Sequence, residues 1–125
     1  MPASIKEMLA EANAAVPRLT PADALARMSG DALVLDVRDP SEVQASVKIK
    51  GAVNVSRGML EFRADPESPY YNPAFQKDKT MLIYCASGGR SALVGKTLKD
   101  FGYGAVYNIG GFKELADAGL ETEPA

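Results

Sequence analysis

Met81-Leu82-Ile83-Tyr84-Cys85-Ala86-Ser87-Gly88-Gly89-Arg90-Ser91 decides how this chain is read. The apolar run has strand character and leads directly into the only cysteine. A short loop with two glycines follows, and a helical pattern is expected over residues 91–101. A thiol so placed faces the N-terminus of a helix, close to several backbone N–H groups and a guanidinium. Those neighbours favour the thiolate, which is the nucleophilic form. Gly88 and Gly89 let the backbone curl around an anion. Cys85 is therefore the candidate catalytic residue. Ala86, Ser87, Gly88, Gly89, Arg90 and Ser91 are the candidate cradle around its substrate. Arg90 is expected to brace the loop and add positive potential, and Ser91 is expected to act as the helix N-cap, with a hydrogen bond to a cysteine-bound sulfur as the alternative.

Strand–helix alternation continues on both sides. Strands are expected over residues 32–37, 53–55, 80–84 and 105–108. Helices are expected over 5–15, from Thr20-Pro21, from Asp39-Pro40, over 91–101 and over 111–118, with one or two helical turns over 57–64. Thr20 and Asp39 each precede a proline suited to a first helical position. Residues 65–79 hold three prolines and read as a surface loop. Such alternation implies a parallel sheet covered on both faces. Ligands of open parallel sheets bind beyond the carboxyl ends of the strands. Cys85, Arg38 and Arg57 all stand at such ends, and Arg57 and Arg63 are candidates for contacting an anionic substrate. Arg38 and Glu42 are spaced to pair with each other across a helix start, and Phe112 is expected at the pocket mouth.

Composition excludes several classes. The chain has 125 residues, one cysteine and no histidine. Cys-His and Ser-His hydrolases in their usual form are excluded. One cysteine without histidine leaves too few soft ligands for zinc; a carboxylate-only magnesium or calcium site stays open, but no EF-hand or similar spacing is present, and no metal or other cofactor is expected. No apolar run is long enough for a membrane span, and no export signal is seen, so a reducing cytoplasmic setting is expected. The net charge of −2 does not favour nucleic acid. Residues 48–113 nevertheless carry 10 basic and 5 acidic side chains, a surplus that would draw a small anion if the charges converged.

The distance from Cys85 to Arg90 is C-x4-R, one residue shorter than the C-x5-R loop of cysteine phosphatases, and a tighter cradle leaves less room for a tetrahedral phosphate. The loop resembles the active-site loop of rhodanese-type sulfurtransferases. Leu33-Val34-Leu35-Asp36-Val37-Arg38-Asp39-Pro40-Ser41-Glu42 resembles that family's D-V-R-x-P-x-E opening. Ile49-Lys50-Gly51-Ala52-Val53-Asn54-Val55 resembles its I-x-G-A-x-N-(I/V) element, and Gly102-Tyr103 through Val106-Tyr107-Asn108-Ile109-Gly110-Gly111-Phe112 its G-(F/Y)-x-x-V-x-x-L-x-G-G turn. The resemblance runs from about residue 19 to residue 119, in the family's order. Lys48, Val43 and Leu115 depart from residues common in the family and bear on substrate preference.

The resemblance implies an α/β fold: one rhodanese-like domain over residues 18–125, built on a central parallel five-stranded sheet with helices on both faces, preceded by an N-terminal helical extension over 1–17. It implies transfer of sulfane sulfur from a small anionic donor such as thiosulfate to a thiol or cyanide acceptor, through a Cys85 persulfide. A sulfur-relay protein is the implied macromolecular partner, with no nucleic acid and no membrane. The alternatives are a persulfide-sensing or protein-binding module, and a phosphatase or arsenate reductase on the related fold.

Overall fold

The computed structural model describes residues 3–125. Helix α1 spans Ile5–Ala15, where the Ser4 hydroxyl accepts from Glu7 N–H at 3.1 Å. Helix α2 spans Pro21–Met28, capped by Thr20 with Pro21 in its first turn. Strand β1 (Leu33–Asp36), helix α3 (Pro40–Ala45) and the short strands β2 (Lys48–Ile49) and β3 (Val53–Asn54) follow. A 3-10 turn over Arg57–Met59 runs into helix α4 (Leu60–Ala64). Strand β4 (Thr80–Cys85), helix α5 (Gly89–Asp100), strand β5 (Ala105–Gly111), helix α6 (Phe112–Asp117) and strand β6 (Thr122–Glu123) complete the chain.

The main sheet runs β3-β1-β4-β5, with every pairing parallel. It has four strands where five were expected. The edge beyond β5 carries only a single parallel bridge, Arg18 to Asn108, because Pro17 and the approaching helix α2 leave no room for a longer ladder. A separate antiparallel pair, β2 with β6, joins Lys48 and Ile49 to Glu123 and Thr122.

Strand alternation sorts side chains onto two buried faces. Leu33, Leu35, Val37, Met81, Ile83 and Cys85 join Val16, Val94, Leu98, Tyr103 and Val106 in one cluster. Val34, Leu82 and Tyr84 join Ala24, Ile49, Ile109, Leu115 and Leu120 in the other. Cys85 thus shares its face with α5, the helix whose N-terminus it must meet. Helix α1 packs on the far side of α5, where a Cβ on Gly95 would lie 2.9 Å from the Val16 methyls. Among the described residues, no helix is long and apolar enough to cross a membrane, and no group of three or more His, Cys, Asp or Glu side chains is placed to hold a metal ion.

Candidate active site

Cys85 is the last residue of β4 and is 1% exposed. Ala86 and Ser87 are exposed, so the sulfur lies just beneath a two-residue lip. The chain then reverses at Gly88, whose φ of +103° lies in the left-handed region that a side chain would strain. That reversal aims Gly88 N–H at Cys85 Sγ, with N···S at 3.0 Å. It also starts α5 two residues earlier than expected.

Ser91 therefore sits inside the first turn of α5, fully buried, and is not the N-cap. Gly88 occupies the cap position. The Ser91 hydroxyl instead reaches Cys85 Sγ at 3.5 Å, Gly88 O at 3.0 Å and Asn108 Oδ1 at 2.8 Å. Burial pushes the Cys85 thiol up. The Ser91 hydroxyl and the N–H groups of Ser91, Gly88 and Ser87 more than offset it, and the group ends below its ordinary value. Hydrogen bonding to the charged form outweighs desolvation here, without any histidine.

Arg90 and Glu42 meet in a forked pair, with Nη1–Oε2 at 2.7 Å and Nη2–Oε1 at 2.8 Å. The pair fixes α3 to the start of α5. Glu42 is held down to about 2, first by these hydrogen bonds and then by the Asp39 N–H that donates to it. Arg90 is displaced upward, chiefly by Glu42 and to a lesser degree by the Cys85 sulfur. Arg90 thus braces the loop, but a carboxylate neutralises much of its charge.

Arg38 does not pair with Glu42 and does not stand free at the rim. It is buried, donating from Nη2 to Asp36 Oδ2 at 2.8 Å and to Val47 O at 2.8 Å. Tyr84 donates to the same Asp36 oxygen at 2.8 Å. The Arg38 guanidinium lies 4.4 Å from the Phe112 ring centroid, so Phe112 covers this buried network. Arg57 reaches Glu61 at 2.9 Å and lines a cavity with Met8, Glu11, Leu93, Lys96 and Thr97, one turn or more along α5 from the loop. Arg63 is exposed, outside the sulfur's hydrogen-bonding network. The positive surplus of the middle segment is dispersed: Lys48, Lys50, Arg57, Lys79, Arg90, Lys96 and Lys113 all have carboxylate partners.

Two residues of the neighbourhood escaped the sequence reading. Asn108 is buried in β5 and touches Ser91, Gly88 and Gly110. A polar residue among buried strand positions was the available signal. Arg18 lies 3.3 Å from where a Cβ on Gly88 would stand and pairs with Glu114. Nothing local in the sequence marks it, since the bridge that brings it there joins distant segments.

A family model described as Rhodanese-like domain matches residues 20–118. The chain belongs to the rhodanese-like domain family. It is 30% identical over 82 residues to the thiosulfate sulfurtransferase PspE of Escherichia coli, covering 66% of this chain and 72% of that protein. It is 35% identical over 91 residues to a sulfurtransferase of Allochromatium vinosum, covering 72% and 77%. Among solved structures, a Rhodopseudomonas palustris protein of unknown function, described as a possible tyrosine phosphatase, superposes with a TM-score of 0.90 at 45% identity, covering 98% of this chain and 96% of that one. The polysulfide-sulfur transferase homodimer of Wolinella succinogenes gives a TM-score of 0.74 at 32% identity, covering 96% and 87%. Similarity to named sulfurtransferases supports sulfur transfer in general for this rhodanese-like chain.

Proposed function

We propose that this rhodanese-like protein moves sulfane sulfur from a small anionic donor such as thiosulfate to a thiol or cyanide acceptor, carrying it on Cys85. The observation that supports this most is a buried sulfur whose thiolate is stabilised by hydrogen bonds from the loop, without a histidine. Such a nucleophile needs no general base. The Cys85 thiolate attacks the outer sulfur of thiosulfate, the sulfur–sulfur bond of the donor breaks, and its electron pair leaves with sulfite. Cys85 then holds a persulfide whose negative charge resides on the outer sulfur. The acceptor attacks that outer sulfur, the persulfide bond breaks, and its electron pair returns to Cys85 Sγ. No proton or electron is left over in either step. Gly88 N–H and the Ser91 hydroxyl stabilise the charge on Sγ before loading and after unloading.

Thiosulfate treatment of the intact protein is expected to add one sulfur atom (~32 Da) that cyanide removes, and Cys85→Ser to abolish both changes. An adduct elsewhere, or none, would overturn the reading.

The description of the Rhodopseudomonas palustris structure raises phosphoryl transfer as a second reading. Two features weigh against it. The loop is one residue shorter than a phosphatase cradle, and both terminal nitrogens of Arg90 are committed to Glu42 rather than open to a phosphate.

A further inference from the structure

Ser91 Oγ carries one proton and has three neighbours that could take it: Asn108 Oδ1 at 2.8 Å, Gly88 O at 3.0 Å and Cys85 Sγ at 3.5 Å. The Asn108 amide has only one workable orientation. Its Nδ2 must face Gly88 O, at 3.0 Å, and its Oδ1 must accept Gly110 N–H, at 2.9 Å. Flipped, it would set oxygen against oxygen and N–H against N–H. The side chain facing Ser91 is therefore an acceptor, and it is the nearest one.

We propose that Asn108 is a positioning residue that decides where the Ser91 hydroxyl proton points, and through it how readily Cys85 takes up and releases sulfur. With Cys85 as a thiol, S–H donates to Ser91 Oγ and Ser91 donates to Asn108. With Cys85 as a thiolate, the sulfur has no proton, so Ser91 must turn and donate to it. That turn orphans nothing. Asn108 Oδ1 keeps Gly110 N–H, and Gly88 O keeps Asn108 Nδ2 and Ala92 N–H at 3.2 Å. The hydroxyl is thus a rotor between two satisfied positions, and the Asn108 carbonyl competes with the sulfur for its proton. In the persulfide the inner sulfur is neutral, and the proton returns to Asn108. When the acceptor removes the outer sulfur, the electron pair arrives on Sγ and the rotor swings back to it.

The catalytic meaning rests on Cys85 being the sulfur carrier, but the rotor is testable on the free thiol alone. The charged groups beside this corner are the Arg90–Glu42 pair, Asp39, and the Arg18–Glu114 pair against Gly88 and Gly110. None of them is substituted in the variants below, and Asn108→Asp adds a carboxylate of its own, which the comparison across the two backgrounds subtracts. The readout is iodoacetamide alkylation rate against pH, with circular dichroism to check folding. Asn108→Leu removes the nearest competing acceptor at similar volume, leaving the more distant Gly88 O, and is expected to lower the Cys85 inflection by about half a pH unit, part of the worth of one hydrogen bond. Ser91→Ala is expected to raise it. In the Ser91→Ala background, Asn108→Leu is expected to change nothing. Should Asn108→Leu not fold, Asn108→Asp keeps the acceptor contacts to Ser91 and Gly110 while losing the donor to Gly88 O, and offers Ser91 a stronger acceptor; its upward shift is expected to be larger with Ser91 present than with Ala at that position. A shift of equal size in both backgrounds, for whichever variant folds, overturns the rotor and leaves Asn108 a structural residue, without touching the sulfur-transfer reading.

Discussion

Removing the charge of Glu42 is expected to weaken the fold and sharpen the nucleophile at once. Its carboxyl is held down to about 2, from an ordinary value near 4.5, first by Arg90 and then by Asp39 N–H. At face value that depression corresponds to about 3 kcal/mol. The two side chains are 34% and 36% exposed, so solvent screens the pair, and about 1 kcal/mol is the share expected of a forked but half-open contact. With a urea slope of ~1.5 kcal/mol per molar, Glu42→Gln should lower the unfolding midpoint by about 0.7 M near pH 6. The folded-state value lies below the unfolded one. The contribution is therefore complete above the ordinary carboxylate range, shrinks as pH falls, and is gone below about 2. At pH 3 the gap between wild type and Glu42→Gln should have fallen by about half.

The same substitution leaves Arg90 with an unneutralised charge beside the loop. The Cys85 alkylation inflection should then move down. Arg90→Ala strips the cation, leaves Glu42 negative, and should move the inflection up. The double variant Glu42→Gln/Arg90→Ala should return close to wild type. Two single variants moving the thiol in the same direction, or a urea gap independent of pH, would refute the view that the pair is a charge-balanced brace.

Gly111 must lack a side chain for a different reason from Gly88: a Cβ there would stand 2.4 Å from Ala86 O and 3.0 Å from Ser87 Cα. Gly111→Ala is expected to push the lip away from the sulfur, slowing persulfide formation at least ten-fold and lowering the melting midpoint by several degrees, at ~1–3 kcal/mol for overpacking against backbone; a stopped-flow trace and a melting curve check both. Inserting one glycine between Gly88 and Gly89 lengthens the cradle to phosphatase spacing and should lower sulfur transfer while admitting an aryl phosphate. If the unaltered protein hydrolyses that ester as fast as it transfers sulfur, the loop-length argument fails.

The strand, the loop and the helix around Cys85 were legible because each rests on local chemistry: an apolar run, two glycines and a helical spacing. What escaped was set by distant pairings. Strands β2 and β6 are two residues each and acquire strand geometry only from one another across most of the chain, so neither has a local pattern. Arg38 read as a rim cation because it follows a strand. Yet Asp36, two positions earlier and hence on the same side, draws it inward, and Ser46 and Val47 complete its bonds. With Arg38 taken by Asp36, Glu42 is left for Arg90, and both partners of the expected Arg38–Glu42 pair change together. Ser91 read as a cap because serine favours that position. The positive φ of Gly88 fills that role and carries Ser91 inward to the sulfur.

The burial of Cys85 bears on which molecules the proposed reaction can use. A sulfur that is 1% exposed beneath Ala86 and Ser87 cannot meet a bulky electrophile, and a donor must present its sulfur at the end of a slender group. Persulfide formation changes that geometry. The new bond holds the reactive atom ~2 Å from the inner sulfur, and an outer sulfur that points toward the exposed lip would be that much nearer the surface. In the proposed reaction, loading would therefore select for small donors, while unloading would be open to larger acceptors, a thiol on another protein among them. The same cradle serves both steps because its two tightest donors, Gly88 N–H and the Ser91 hydroxyl, address the inner sulfur. They stabilise charge there before loading and again after unloading, and leave the outer sulfur free to go. An acceptor series of increasing bulk should accordingly slow unloading far less than a donor series of the same bulk slows loading, and equal slowing of both would show that the lip, not the sulfur's depth, governs access.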